Sequence, residues 1–179
     1  MIPGANAALT AENPGLSDLL IGFGWEIIPS HGPQAELVPL AIMCDADGRS
    51  LSNDHLVFFN QIASADGSLD FRDDRDDEEI DVALAQVPAE VAKIVFIVYI
   101  DPDVRGAGNF SSVRSAYMRI ATQDNRELVR FDLPSGNRSI DVLMFGELYR
   151  HRDDWKFRAL GQGYSNGLRG VAADFGIDL

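Results

Sequence analysis

The sequence predicts an all-β fold, a sandwich or a barrel, and three observations lead there. Apolar residues recur at every second position in several stretches, which is the period of a half-buried strand. Turn-forming pairs such as Pro14-Gly15, Asp47-Gly48 and Asp66-Gly67 punctuate the chain at short intervals. About nine or ten strand-like segments follow one another at ten- to fifteen-residue spacing with little helix between them. That spacing belongs to strands packed on strands, not to a parallel sheet covered by helices. No linker composition divides the chain and no fixed period repeats, so residues 1–179 read as one domain.

Residues 7–9 form a short candidate strand between two turn signals. In 17–25, Leu19, Ile21, Phe23 and Trp25 alternate with Gly22 and Gly24, so one face is large and the other bare. A bare face on a strand marks a bulge or a close approach. Residues 36–43 are apolar but contain Pro39, which cannot donate to a ladder and places this strand at an edge, a break or a bulge. Asp47-Gly48 is a hairpin turn leading to a returning strand at 55–59, and Asp66-Gly67 makes the next tight turn. A strand at 80–84 and a single helical turn at 86–91 precede 93–100, a β-branched and aromatic run of the kind buried on both faces. Beyond a loop with a helical turn at Phe110, strands are expected at 113–121, 127–133, 140–149 and 155–160. Only 167–175 looks helical.

Composition narrows the functional classes. A formal charge of −13 and a pI near 4.4 disfavour nucleic acid and anionic membrane surfaces. They favour metal ions and basic partners. The single cysteine, Cys44, excludes an internal disulfide and a cysteine-built zinc site. The longest apolar run is too short to span a bilayer, and a cytoplasmic protein is the expectation. Charge concentrates in Asp70-Phe71-Arg72-Asp73-Asp74-Arg75-Asp76-Asp77-Glu78-Glu79-Ile80-Asp81, whose balance of −6 is nearly half of the total. So many carboxylates in one loop repel unless water, arginine or a cation screens them. A solvated acidic loop and a divalent-cation site are both open on charge alone.

Motifs along the whole chain carry a resemblance. Gly146-Glu147-Leu148-Tyr149-Arg150-His151, followed by Trp155-Lys156-Phe157-Arg158-Ala159 and Gly161-Gln162-Gly163-Tyr164, resembles the C-terminal signature of the TerD-type tellurium-resistance and stress-response family. Asn13-Pro14-Gly15-Leu16 with Gly22-Phe23-Gly24-Trp25 resembles that family's N-terminal strand. Phe58-Phe59-Asn60-Gln61 with Asp66-Gly67-Ser68 resembles its central hairpin, and Asp76-Asp77-Glu78-Glu79-Ile80, Val87-Pro88 and Lys93-Ile94-Val95-Phe96 continue the match in order. The resemblance implies a sandwich of two antiparallel sheets with one or two short helices, the last near the C-terminus. It also implies acidic loops that bind calcium at one end, and no enzymatic activity.

Asp76, Asp77 and Glu78 carry over as calcium ligands. Asp73 and Asp74 join them by proximity and Glu36 by position. The family's Asp-x-Asp pair corresponds here to Glu36 and Val38, and its glycine-rich loop to a shorter run containing Arg72 and Arg75. Two functions follow. One is a calcium-binding stress-response protein. The other is a degenerate member whose arginines have replaced the ion, leaving a constitutive protein-interaction module with protein partners or self-association.

Other chemistry is weak. Gly161-Gln162-Gly163 has no room for a βαβ unit after it and reads as a strand-ending turn. His31, His55 and His151 lack metal-ligand spacing, and no nucleophile elbow is present. Trp25, Tyr149, Trp155 and Phe157 read as packing residues. Arg150, Arg152, Lys156 and Arg158 read as surface ion pairs or a partner edge.

Overall fold

The computed structural model describes residues 1–58, 61–72, 76–104, 108–133 and 139–178. The strands are β1 (Asn6–Ala8), β2 (Asp18–Ile27), β3 (Leu37–Cys44), β4 (Leu56–Val57), β5 (Leu69–Arg72), β6 (Glu78–Ala83), β7 (Lys93–Ile100), β8 (Val113–Ala121), β9 (Glu127–Asp132), β10 (Val142–His151) and β11 (Asp154–Tyr164). One helix, α1 (Leu168–Phe175), follows them. The strands form two antiparallel sheets, a six-stranded one in the order β1-β11-β10-β7-β3-β4 and a five-stranded one in the order β5-β6-β2-β8-β9. Among the described residues no helix is long and apolar enough to cross a membrane.

The alternating residues of β2 explain how the layers meet. Leu19, Ile21 and Phe23 point into the space between the sheets and are fully buried. Phe23 and Phe131 from one sheet interlock with Phe96 and Phe145 from the other, at centroid distances of 6.2–6.3 Å and with tilted or edge-on rings. Such geometries suit the ring quadrupoles. The run at 93–100 is buried on both faces, as its composition requires. Ile94, Phe96 and Val98 face the inter-sheet core, while Val95, Ile97 and Tyr99 face a second cluster under α1. Val38, Leu40, Ile42 and Cys44 of β3 join that second cluster with Val171 and Phe175 of the helix. Gly176, in the left-handed region at φ +67°, stops the helix and donates its N–H to the Ala172 carbonyl.

Several expectations change. The acidic run is a hairpin rather than a loop: β5 pairs with β6, with Asp70 opposite Asp81 and Arg72 opposite Glu79. Its period-two alternation, with Leu69, Ile80 and Val82 buried in the main core, is what a strand needs, and charge on the outer positions hid it. Among the described residues the returning strand expected at 55–59 is β4, and it starts one residue late because Asn53–His55 form a 3-10 turn capped by the Ser52 hydroxyl. The helical turn expected at 86–91 lies earlier, at Leu84–Gln86. Gly161 does not end a strand. It sits inside β11 with φ +67°, where the β10–β11 register shifts between Met144 and Gly146. Among the described residues Pro39 pairs only with β7, since β4 is paired at Ala41 and Ile42 alone, as a strand edge at the proline requires.

Candidate functional site

The outer face of the five-stranded sheet gathers the acidic residues. Gly22 and Gly24 of β2 lie opposite Arg119 and Tyr117 of β8. A methyl group at Gly22 would fall on the Asp76 carboxylate, and one at Gly24 on the Tyr117 ring. The glycines thus mark a close approach, and the space they leave is filled by side chains from neighbouring segments.

Asp76 occupies that space just before β6. Arg119 donates to it from Nε at 3.1 and 2.9 Å and closes an ion pair from Nη2 at 2.8 Å. The Tyr117 hydroxyl donates to its other oxygen at 2.6 Å. With side-chain exposures of 6% for Asp76 and 11% for Arg119, this is a nearly desolvated pair, in which charge-assisted, two-pronged hydrogen bonds are strongest. The hydrogen bond to Asp76 raises the Arg119 pKa. Burial, and then the bond to Asp76, push the Tyr117 phenol up to about 12. Arg119 also donates to the Asn125 side-chain carbonyl at 2.6 Å, and Asn125 holds a left-handed turn at φ +68°. Arg130 stacks over the Tyr117 ring at 3.8 Å. The Asp76 amide donates to Glu79, which is 2% exposed, and the Trp25 amide donates to Asp77 at 2.8 Å.

The expected ligands fare unequally. Asp76, Asp77 and Glu78 are brought together at the foot of β6, but Asp76 is held by Arg119 and Tyr117, and Asp77 by backbone. Glu36 is exposed and precedes β3 in the other sheet, where its carbonyl accepts from the Asp101 amide. Val38 faces the cluster under α1. Asp73, Asp74 and Arg75 lie outside the described residues. Calcium takes six to eight oxygen ligands. Among the described residues no group of three or more His, Cys, Asp or Glu is arranged to hold a metal. Among the described residues the arrangement at Asp76 therefore does not fit the ion: a guanidinium stands there where a cation would.

Reading the sequence missed Arg119, Tyr117 and Asn125. The available signal was the glycine pair in β2, because two glycines on one strand face require large side chains from a neighbour. The other basic residues are engaged elsewhere. Arg150 donates to the Val87, Pro88 and Val91 carbonyls and stacks on Trp155, and Arg158 and Lys93 flank the buried Glu147. His55 hydrogen-bonds the Ser52 hydroxyl at 2.7 Å.

Comparison with known proteins bears on the fold and the family. The TerD domain family model matches residues 1–175. The chain is 35% identical to the tellurium resistance protein TerD of Serratia marcescens, over 98% of this chain and 95% of that one. It is also 35% identical to general stress protein 16U of Bacillus subtilis (strain 168), over 98% and 96%. The crystal structure of SCO6318 from Streptomyces coelicolor A3(2), described as a homologue of a telluride resistance protein, superposes with a TM-score of 0.68. It is 23% identical, covers 88% of this chain and 96% of its own, and speaks for the fold alone.

Proposed function

This chain belongs to the TerD domain family, and from that premise we propose that it is a non-enzymatic tellurium-resistance and stress-response protein whose acidic end is held by Arg119 instead of calcium. The observation behind this reading is the Asp76 carboxylate, closed by Nε and Nη2 of Arg119 and by the Tyr117 hydroxyl. A cation entering there would have to displace a guanidinium already bonded to both carboxylate oxygens and to Asn125. Displacement of a nearly buried arginine leaves an unpaired buried charge, a penalty that few weak ligands offset.

The acidic end is thus set on folding, and the protein offers partners one constitutive shape. The counterparts expected are proteins or a second copy of the chain, because a charge of −13 repels nucleic acid. A cytoplasmic location is part of the same reading and rests on the single cysteine. Tyr117 is pushed up to about 12 and the Arg119 pKa is raised, so neither of these two groups serves as an acid or base near neutral pH. The non-enzymatic assignment rests on that.

Calorimetry with CaCl2, and melting in CaCl2 against NaCl at matched ionic strength, test the proposal. The expected result is no calcium-specific heat and equal melting temperatures. A rise in melting temperature specific to calcium, lost in Asp77→Asn, would return the site to a metal, since an ion that binds the folded state stabilises it by mass action.

A further inference from the structure

Asn166 is the one asparagine of the sequence that is followed by glycine. It is exposed in the bend between β11 and α1, and Gly167 opens the helix at φ +63° and ψ −157°. No side chain caps that helix end. On the other side of the bend, α1 covers the outer face of the six-stranded sheet. An apolar slot of about 130 Å³ lies beneath it, between Leu168 and Val171 of the helix and Leu40 and Tyr99 of the sheet. A change in the bend therefore acts directly on how this helix is seated.

The other described asparagines have their side chains held. Asn6 accepts from the Tyr149 hydroxyl at 2.7 Å, Asn109 from the Ser111 amide at 3.0 Å and Asn125 from Arg119 at 2.6 Å. Asn13 donates to the Leu9 carbonyl at 2.9 Å and Asn53 to the Asp178 carbonyl at 3.0 Å. Asn166 makes no such bond among the described residues, and the Gly167 amide donates to none of them. The Asn166 carboxamide oxygen rests over the first turn of α1, where a Cβ on Gly170 would come within 2.3 Å of it. The carboxamide thus lies on the helix without being fixed there. Beside it, a Cβ on Gly167 would meet nothing within 4 Å, so no packing holds this residue. A glycine nitrogen next to a free carboxamide is the least obstructed nucleophile the backbone offers.

We infer that Asn166-Gly167 is a site of spontaneous modification, deamidating to aspartate and isoaspartate, and that the isoaspartate form loosens α1. The Gly167 nitrogen gives its proton to water or hydroxide and attacks Cγ of Asn166. The N–Cγ bond forms, the Cγ–Nδ2 bond breaks, and Nδ2 leaves as ammonia with a proton from water. Water then opens the resulting five-membered imide. Cleavage at Cγ restores the ordinary backbone as aspartate, and cleavage at the main-chain carbonyl leaves the chain running through Cγ as isoaspartate. The balance is one water consumed and one ammonia released, with no catalyst or oxidant required. Isoaspartate lengthens the backbone by one methylene where β11 hands over to α1 and adds a carboxylate beside the apolar slot. The helix then no longer spans its entry and its seat at the old length, and Leu168 and Val171 lift from the sheet. The site is remote in the fold from Asp76, so it does not depend on whether Arg119 excludes calcium there.

Incubation of the full folded chain in warm, mildly alkaline buffer made with water of heavy oxygen, followed by peptide mapping in a mass spectrometer, provides the test. Heavy oxygen is expected at Asn166 in two separable products, with isoaspartate in excess, while Asn6, Asn13, Asn53, Asn109 and Asn125 stay unlabelled. Asn166→Gln keeps the carboxamide but disfavours closure of the ring, and it should lose the label without altering the melting temperature. In the purified isoaspartate fraction, the amides of α1 should exchange hydrogen faster than in the unmodified chain or in Asn166→Asp, which has the charge without the added methylene. No label at Asn166, labelling of the held asparagines at the same rate, or label only in urea would each overturn the assignment of the site. Unchanged exchange in α1 of the isoaspartate fraction would overturn its effect on the helix.

Discussion

The two outer faces of this sandwich are closed by different means. On the five-stranded sheet, β2 has glycines at 22 and 24, and the gap is filled by Asp76, Tyr117 and Arg119. On the six-stranded sheet, β3 and β7 carry apolar residues outward as well as inward, and α1 covers them. One face is thus sealed by a charged network with specific geometry and the other by non-directional apolar burial. A network of the first kind fails when one partner is removed, whereas packing of the second kind degrades with the area lost.

The sharpest way to break this contrast is Arg119→Ala. It leaves the Asp76 carboxylate almost buried with only Tyr117 beside it, and we expect a loss of about 4 kcal/mol in urea unfolding. On the helix-covered face, Phe175→Ala removes an anchor that is 6% exposed and should cost about 3 kcal/mol. Exposure of the slot should then raise binding of a hydrophobic dye, a signal that Arg119→Ala lacks. If the two variants lose equal stability and bind dye equally, the two faces do not differ as described.

The tyrosines give a smaller and finer test. Burial is the main reason that Tyr117 and Tyr99 both rise from 10 to about 12. A phenol whose pKa is raised by folding contributes stability that is fully present below pH 10 and is lost as pH climbs through about 12. Alkaline titration should therefore unfold the wild type more steeply in that window than either Tyr→Phe variant. At pH 7 the two variants should separate: Tyr117→Phe loses a bond to a carboxylate, roughly 1.5–3 kcal/mol, while Tyr99→Phe loses a hydroxyl with no partner among the described residues and should cost little. Equal costs at neutral pH would remove the distinction.

Much of the scaffold was legible. Period-two alternation located β8 at Val113–Ala121, and continuous apolar composition located β7 at Lys93–Ile100 and its burial on both faces. The acidic segment was not legible as a hairpin. Eight carboxylates outweighed the alternation of Phe71, Ile80 and Val82, although a strand can carry charge on one face without losing its core on the other. Arg72 and Arg75 are the neutralisers that proximity along the sequence offers. The arginine bonded to Asp76 comes instead from β8, 43 residues away.

By itself, the sequence determined the all-β class, the family, the buried central strands and the acidity of the segment before β6. Those properties are local or compositional, and each residue carries its share wherever the chain goes. The partner of each carboxylate was decided only by tertiary structure. Strand order sets β2 between β6 and β8 and so brings Gly22, Asp76 and Arg119 to one spot. Strand order and α1 likewise bring Leu40, Tyr99 and Val171 around one slot. Electrostatic pairing depends on distance in space and on desolvation, and neither is written into the order of residues along the chain.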